Sequence, residues 1–251
     1  MTALRDLLQG FVRDADVDSA WARLQAYMGG HGFDRIIYAA THFRTLHNPG
    51  DVRDALILTN YPQDYIDVYL GGGMFRDAPL VRWAVKNVGA ISWRAIGVAA
   101  AAGELSEAEL AVMDFNRQYG VTAGYALSFP RHSERAGFGI GLGATKLTQD
   151  EVDALWEAHG DEIELVAGVA HLKLISLPHD HHDRALTPRQ RQVLELVADG
   201  KTVQDAALVL GLGPATVEKH LRLAREALDV ETTAQAIRKL STQNQFFLFR
   251  K

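Results

Sequence analysis

Tyr61, Tyr65 and Tyr69 recur at every fourth residue, so on a helix they share one face. Periodicity by itself favours an aromatic core stripe. Three phenols are an expensive way to build one, because a buried tyrosine hydroxyl needs a partner, whereas Phe or Leu fills a dry core without that demand. Downstream, Asp77 offers a carboxylate acceptor and Trp93 an indole donor, with Pro79 between them. An apolar pocket with a few convergent polar groups is the expected form of a small-molecule site. The chemistry is recognition rather than turnover. No Ser/His/Asp order or carboxylate pair stands in a context that suggests catalysis, and the chain has no cysteine to act as nucleophile, thiolate ligand or disulfide.

A second set of residues speaks of a different partner. Ala207, Gly211 and Val217 have the spacing of a helix-turn-helix, in which a small residue lets two helices cross, a Gly makes the turn and an apolar residue docks the second helix. Pro214 suits the first position of that second helix. Its other face carries Lys219, Arg222 and Arg225, with Thr216, Glu218 and His220 beside them, and Thr202 near the start of the preceding helix joins this set. Such a face is fit to enter the major groove of double-stranded DNA.

Charge supports the division. The net charge of −5 over 251 residues argues against a nucleic-acid binder until it is split. Residues 185–251 hold 10 Lys/Arg against 7 Asp/Glu, and residues 1–184 hold 16 against 24, so a +3 end is joined to a −8 remainder. The excess is small enough that one copy would grip phosphates weakly, and a homodimer is the expected remedy. At 47% apolar and 23% charged the composition is that of a globular protein, with neither an apolar run of about 18 residues nor a signal peptide, so a cytoplasmic protein without a membrane partner is expected.

The elements that must position these residues follow from periodicity and punctuation. Residues 3–13 and 18–29 read as amphipathic helices, 35–40 and 55–59 as strands, and 48–51 as a turn. Pro62 opens a helix to about Leu70, ended by Gly71, Gly72 and Gly73. A helix is expected over 77–88, then a strand to Trp93, a small-residue loop over 99–103, and a helix to about Gln118 opened by a capping box at Ser106 and Glu109. Residues 125–129 and 138–143 form a hairpin around Pro130 and His132, and 148–174 form one or two closing helices. The fold class is α+β: an N-terminal α/β/α sandwich with a mostly antiparallel sheet (residues 1–175), a linker (176–185) and a four-helix helix-turn-helix domain with an extra tail (186–251). Capping boxes at Thr187 and Gln190 and at Thr232 and Gln235 frame the last domain.

Three smaller signals carry less weight. Gly139, Gly141 and Ala144 formally fit a dinucleotide fingerprint, but in a hairpin strand the glycines instead mark a close approach by a ligand or helix. His179, His181 and His182 with Asp180 and Asp183 would make a poor metal site without supporting residues, so a solvated linker and no metal are expected. Phe246, Phe247, Leu248 and Phe249 are expected to dock on the N-terminal domain or a second subunit.

Residues 186–221 resemble the DNA-binding domain of the LuxR family: Leu186-Thr187-Pro188-Arg189-Gln190, Leu194, Gly200, and Thr216-Val217-Glu218-Lys219-His220 stand where the family has its motif, with Gln190 replacing a Glu. Asn60-Tyr61-Pro62-Gln63-Asp64-Tyr65, Tyr69, Asp77-Ala78-Pro79 and Ser92-Trp93 resemble that family's autoinducer-binding domain over residues 15–175. The resemblance implies a quorum-sensing transcriptional regulator without enzymatic activity or cofactor, sensing an acyl-homoserine lactone or a related amphipathic molecule. It implies that Trp93 donates to the lactone carbonyl and Tyr61 to the acyl carbonyl, while Tyr65 stands where the family usually has Trp and Tyr69 occupies a family Tyr position. The family's Asp, which accepts from the ligand amide, falls on Ala78. Asp77 comes one residue early, a rotation of about 100° on a helix. A family Gly falls on Ala126, with Gly124 two residues away. The alternatives are a regulator of this type with another ligand or none, and a phosphorylation-driven response regulator. The latter needs a repeating βαβ receiver, where residues 1–40 give two helices before any strand.

Overall fold

The computed structural model describes residues 2–43, 52–131, 133–179 and 186–247. The turn expected at 48–51, His132, His181 and His182 of the linker, and Leu248 and Phe249 of the tail lie outside them. Two compact units form, Met1–Ile175 and Ser176–Lys251.

In the first unit, helices α1 (Thr2–Arg13) and α2 (Val17–Gly30) lead into strand β1 (Arg35–Thr41), and β2 (Ala55–Thr59) follows. The helix expected from Pro62 to Leu70 is a short α3 (Gln63–Ile66) that widens into a π turn over Asp67–Gly71, with Gly72 N–H donating to the Asp67 carbonyl at 2.9 Å. Asp77 does not sit inside a helix. It ends a 3-10 turn (Met74–Asp77), and α4 (Pro79–Lys86) begins two residues later, because a residue before proline is forced out of the helical region: Ala78 is extended at φ −67°, ψ 121°.

Strand β3 (Gly89–Ser92) precedes α5 (Arg94–Ala101), which replaces the expected small-residue loop. Alanine is the best helix former, so a run of it needs a breaker to stop it, and that breaker is Gly103 at φ +72°. Helix α6 (Glu107–Gln118) opens with the Ser106–Glu109 capping box. Strands β4 (Ala123–Ser128) and β5 (Gly137–Ala144) pair as a hairpin, and one helix, α7 (Gln149–Ser176), closes the unit.

The sheet runs β2-β1-β5-β4-β3 and is antiparallel throughout. Register separates its faces. Ile36, Tyr38 and Ala40 stand opposite Leu142, Ile140 and Phe138, and this face is covered by α7, whose His171 Nδ1 shares a hydrogen bond with the Tyr38 hydroxyl at 2.9 Å and whose ring stacks on Phe129 at 4.4 Å. On the other face Ile37, Ala39 and Thr41 stand opposite Gly141, Gly139 and Gly137. Helices therefore cover both faces of the sheet, as in the expected sandwich.

The second unit holds α8 (Pro188–Ala198), α9 (Val203–Leu210), α10 (Pro214–Ala227) and α11 (Thr233–Thr242) around Val193, Leu194, Ala206, Val217, Ala224 and Leu240. The boxes at Thr187 and Thr232 are both formed. Of the tail expected to dock on the N-terminal domain or a second subunit, Phe246 packs on this unit's own core. The tail is held there because Gln245 Nε2 donates to the His179 carbonyl at 2.8 Å and the Arg191 guanidinium reaches the Gln245 carbonyl.

Candidate ligand cavity and DNA-facing helix

A cavity of about 190 Å³ lies on the second face of the sheet, beneath α3, α4 and α6. Strand β5 makes its floor possible. The alternation Gly137-Phe138-Gly139-Ile140-Gly141 puts every side chain on the α7 face and leaves bare backbone towards the cavity. A Cβ at Gly141 would lie 3.2 Å from Ile37 Cγ2, and one at Gly139 3.0 Å from the Leu127 carbonyl. The expectation of glycines thinning a strand at a close approach describes this wall.

Tyr61, Tyr65 and Tyr69 line the cavity together. Their rings form a column, with centroids 4.4 Å apart for Tyr61 and Tyr65 and 5.2 Å for Tyr65 and Tyr69. The π turn carries the last of them, with the extra residue inserted between α3 and Gly72. Burial pushes all three phenols well above the usual tyrosine range, so they remain neutral hydroxyls. Tyr65 is satisfied inside the protein, donating to Asn116 Oδ1 at 2.8 Å. Asn116 was not anticipated, although its place one turn after Val112 on α6, an amide on a buried face, is the signal that would have found it.

Trp93 completes the wall. Its backbone N–H donates to the Gly124 carbonyl at 3.0 Å, and its indole lies flat against Gly124, where a Cβ would come within 2.9 Å of Trp93 Cε2 and 2.2 Å of the Leu142 carbonyl. Gln149 grips the same segment, accepting from Gly124 N–H at 3.0 Å and donating to Asp153 at 2.8 Å, while Ser92 donates to Asp153 at 2.7 Å. The ring is thus fixed from below. Its Nε1 is buried and has no hydrogen-bond partner among the described residues. A buried donor left unpaired costs about 1–3 kcal/mol, which an acceptor brought in by a ligand would recover.

Asp77 is not brought to the cavity. It is exposed at the end of its 3-10 turn, and Ala78, buried at 3% exposure beside the tyrosines, takes the inward place.

In the second unit Gly211 turns left-handed at φ +64° at the end of α9, and Ala207 and Val217 are buried where the two helices meet. Thr216, Glu218, Lys219 and Arg222 are exposed on α10, with Arg222 paired to Glu226. His220 and Arg225 are half-buried, and Arg225 donates to Thr233 Oγ1 at 3.1 Å, tying α10 to α11. Thr202 caps α9, exchanging hydrogen bonds with Asp205, so it has a structural role the sequence reading missed. The Thr-x-x-Asp spacing was the available signal.

Comparison with known proteins agrees with this division. Residues 16–174 match the autoinducer binding domain family, and residues 184–228 match the sigma-70 region 4 family. The chain is 26% identical over 188 residues to the transcriptional activator protein LuxR of Aliivibrio fischeri, covering 74% of this chain and 73% of that protein. It is 25% identical over 223 residues to the quorum sensing-dependent transcriptional regulator RpaR of Rhodopseudomonas palustris, covering 88% and 86%. Among solved structures, Escherichia coli SdiA superposes with a TM-score of 0.55 at 15% identity, over 98% of this chain and 99% of that one, a likeness of fold.

Proposed function

The chain belongs to the LuxR-type transcriptional regulators of quorum sensing, and on that premise we propose that its cavity takes an N-acyl-homoserine lactone or a close amphipathic relative. It is a regulator rather than an enzyme. The observation that carries the ligand assignment is the buried Nε1 of Trp93 in the cavity wall, a donor whose ring is braced by Gly124 and which has no acceptor among the described residues. In this reading Trp93 donates to the lactone carbonyl and Tyr61 to the acyl carbonyl. Tyr65 and Tyr69 pack on the ligand from the same column, and the acyl arm lies on the glycine floor. Asp77 takes no part.

The reading continues in the second unit, with residues 176–185 as a linker. Two copies of residues 186–251 bind double-stranded DNA, with Thr216, Lys219 and Arg222 of α10 facing the groove. Glu218 and His220 flank them, and Thr202 and Arg225 hold the helices that present them. No helix of the described residues is long and apolar enough to cross a membrane, in keeping with a cytoplasmic regulator.

A thermal melt tests the ligand. Excess lactone stabilises the folded state by mass action, about 2.7 kcal/mol at a hundredfold over Kd. A rise in melting temperature with one or more acyl-homoserine lactones, lost in Trp93→Phe, is the expected result. No rise with any of them, in a protein that folds and binds DNA, would remove the lactone from the account.

A further inference from the structure

The side chains that bring polar atoms to the cavity wall are Thr41, Tyr61, Tyr65, Tyr69, Trp93 and Asn116, and among the described residues no Asp, Glu, Lys, Arg or His side chain lines it. Part of this small inventory is already spent. Asn116 Oδ1 accepts from Tyr65, and Thr41 Oγ1 accepts from the Phe43 N–H at 3.1 Å. What faces a ligand is neutral: the Tyr61 and Tyr69 hydroxyls donate or accept, and the indole N–H of Trp93, unpaired among the described residues, can only donate. The carboxylate nearest in sequence, Asp77, is exposed, and the buried residue beside the tyrosines is Ala78. Burial dominates the Tyr61 hydroxyl, Asp34 and Arg35 act on it with opposite signs, and neither of them lines the cavity.

We infer that the cavity selects an uncharged ligand whose head presents carbonyl or ester oxygens, and that it does not read an amide N–H. The inference rests on the lactone reading above and specifies which atoms of such a ligand are recognised. A carboxylate or ammonium head would lose its hydration without meeting an opposite charge. An amide N–H would meet neutral hydroxyls at best, where a carboxylate acceptor would make a charge-assisted bond about twice as strong. Replacing N–H by oxygen therefore leaves the recognised atoms in place: a butyrolactone carrying an ester-linked acyl arm fits as well as its amide-linked counterpart. The same inventory disfavours a free fatty acid of equal chain length.

The test is calorimetric titration of the full chain with a matched pair, the N-acyl-homoserine lactone giving the largest melting shift and the α-acyloxy-butyrolactone with the same acyl arm, alongside the free fatty acid. The expected result is a pair of dissociation constants within about threefold of each other, with the fatty acid weaker than both by at least about tenfold. An amide tighter than the ester by more than about tenfold would overturn the inference and leave the lactone reading standing, since a protein acceptor would then be reading the N–H. A fatty acid that binds as tightly as the ester would overturn it too, because the cavity would then accept a charge. Binding of neither lactone would overturn the inference together with the lactone reading.

Discussion

Trp93, Gly124 and the glycines of β5 show how single residues decide what the cavity can hold. At Gly124 there is no room for a methyl group: a Cβ would meet the Leu142 carbonyl at 2.2 Å, and backbone does not give way as a flexible side chain does. Gly124→Ala is expected to destabilise the first unit by roughly 2 kcal/mol and to weaken the lactone-induced melting shift as the indole tips, measured by melts with and without ligand. Gly141→Val is expected to behave differently. Its nearest neighbour is the Ile37 methyl at 3.2 Å, so the unliganded melting temperature should stay near wild type while long-chain ligands bind roughly tenfold more weakly. His171 supplies a pH prediction. Burial, with His42 nearby, depresses its imidazole from 6.5 to about 4, so its neutral form is the folded one. A group depressed in the folded state contributes stability that is present above pH 6.5 and is lost as pH falls from there towards 4, on the order of 3 kcal/mol in all. Melts between pH 7 and 4.5 should show that loss flattened in His171→Gln, which can still accept from Tyr38 but does not titrate.

Helix ends and strand alternation were the features most legible in the sequence. Capping boxes at Ser106, Thr187 and Thr232 are written in four residues each, and all three are formed. Thr187→Ala is expected to cost the second unit about 1 kcal/mol, read as a lower melting temperature of that unit, because the orphan amide of Gln190 loses its acceptor. The elements that misled share a cause. Residues 99–103 read as a loop by smallness, yet the helix runs on to Ala101 and stops only before Gly103, at left-handed φ. The widened turn at Asp67–Gly71 shifts register by one residue, and no residue type announces it. Asp77 was misplaced because its helix was started two residues early, with Pro79 not yet used to fix the true first position. Tyr61, Tyr65, Tyr69 and Trp93, which the family resemblance singled out as candidates where periodicity alone favoured a core stripe, all line the cavity. Asn116 carried a signal in its place one turn after Val112 on α6, whereas the face that the β5 glycines turn to the cavity needed the pairing of strands far apart in the chain.

Taken whole, the molecule joins a sensor unit of net charge −8 over residues 1–184 to a DNA-binding end of +3 over 185–251. With so modest an excess one copy makes few phosphate contacts, so affinity for DNA should depend on pairing of two copies, whose summed contacts also steepen the fall with salt. Lys219→Ala is expected to weaken binding about equally across DNA sequences and to lower the salt slope by about 1, as removal of a phosphate contact does. Titrations at several salt concentrations would measure this, and a change confined to one base position would instead assign Lys219 to base readout. The central claim concerns the other end, that the unpaired indole of Trp93 is completed by a ligand. The protein has four tryptophans, so its nitrogen-15 spectrum holds at most four indole N–H resonances, and Trp93→Phe identifies one of them. Titrating the cavity ligand while watching that resonance tests the claim most directly. The account predicts that the Trp93 indole proton moves downfield as it gains an acceptor. A ligand that stabilises the protein while leaving that resonance unmoved would contradict it.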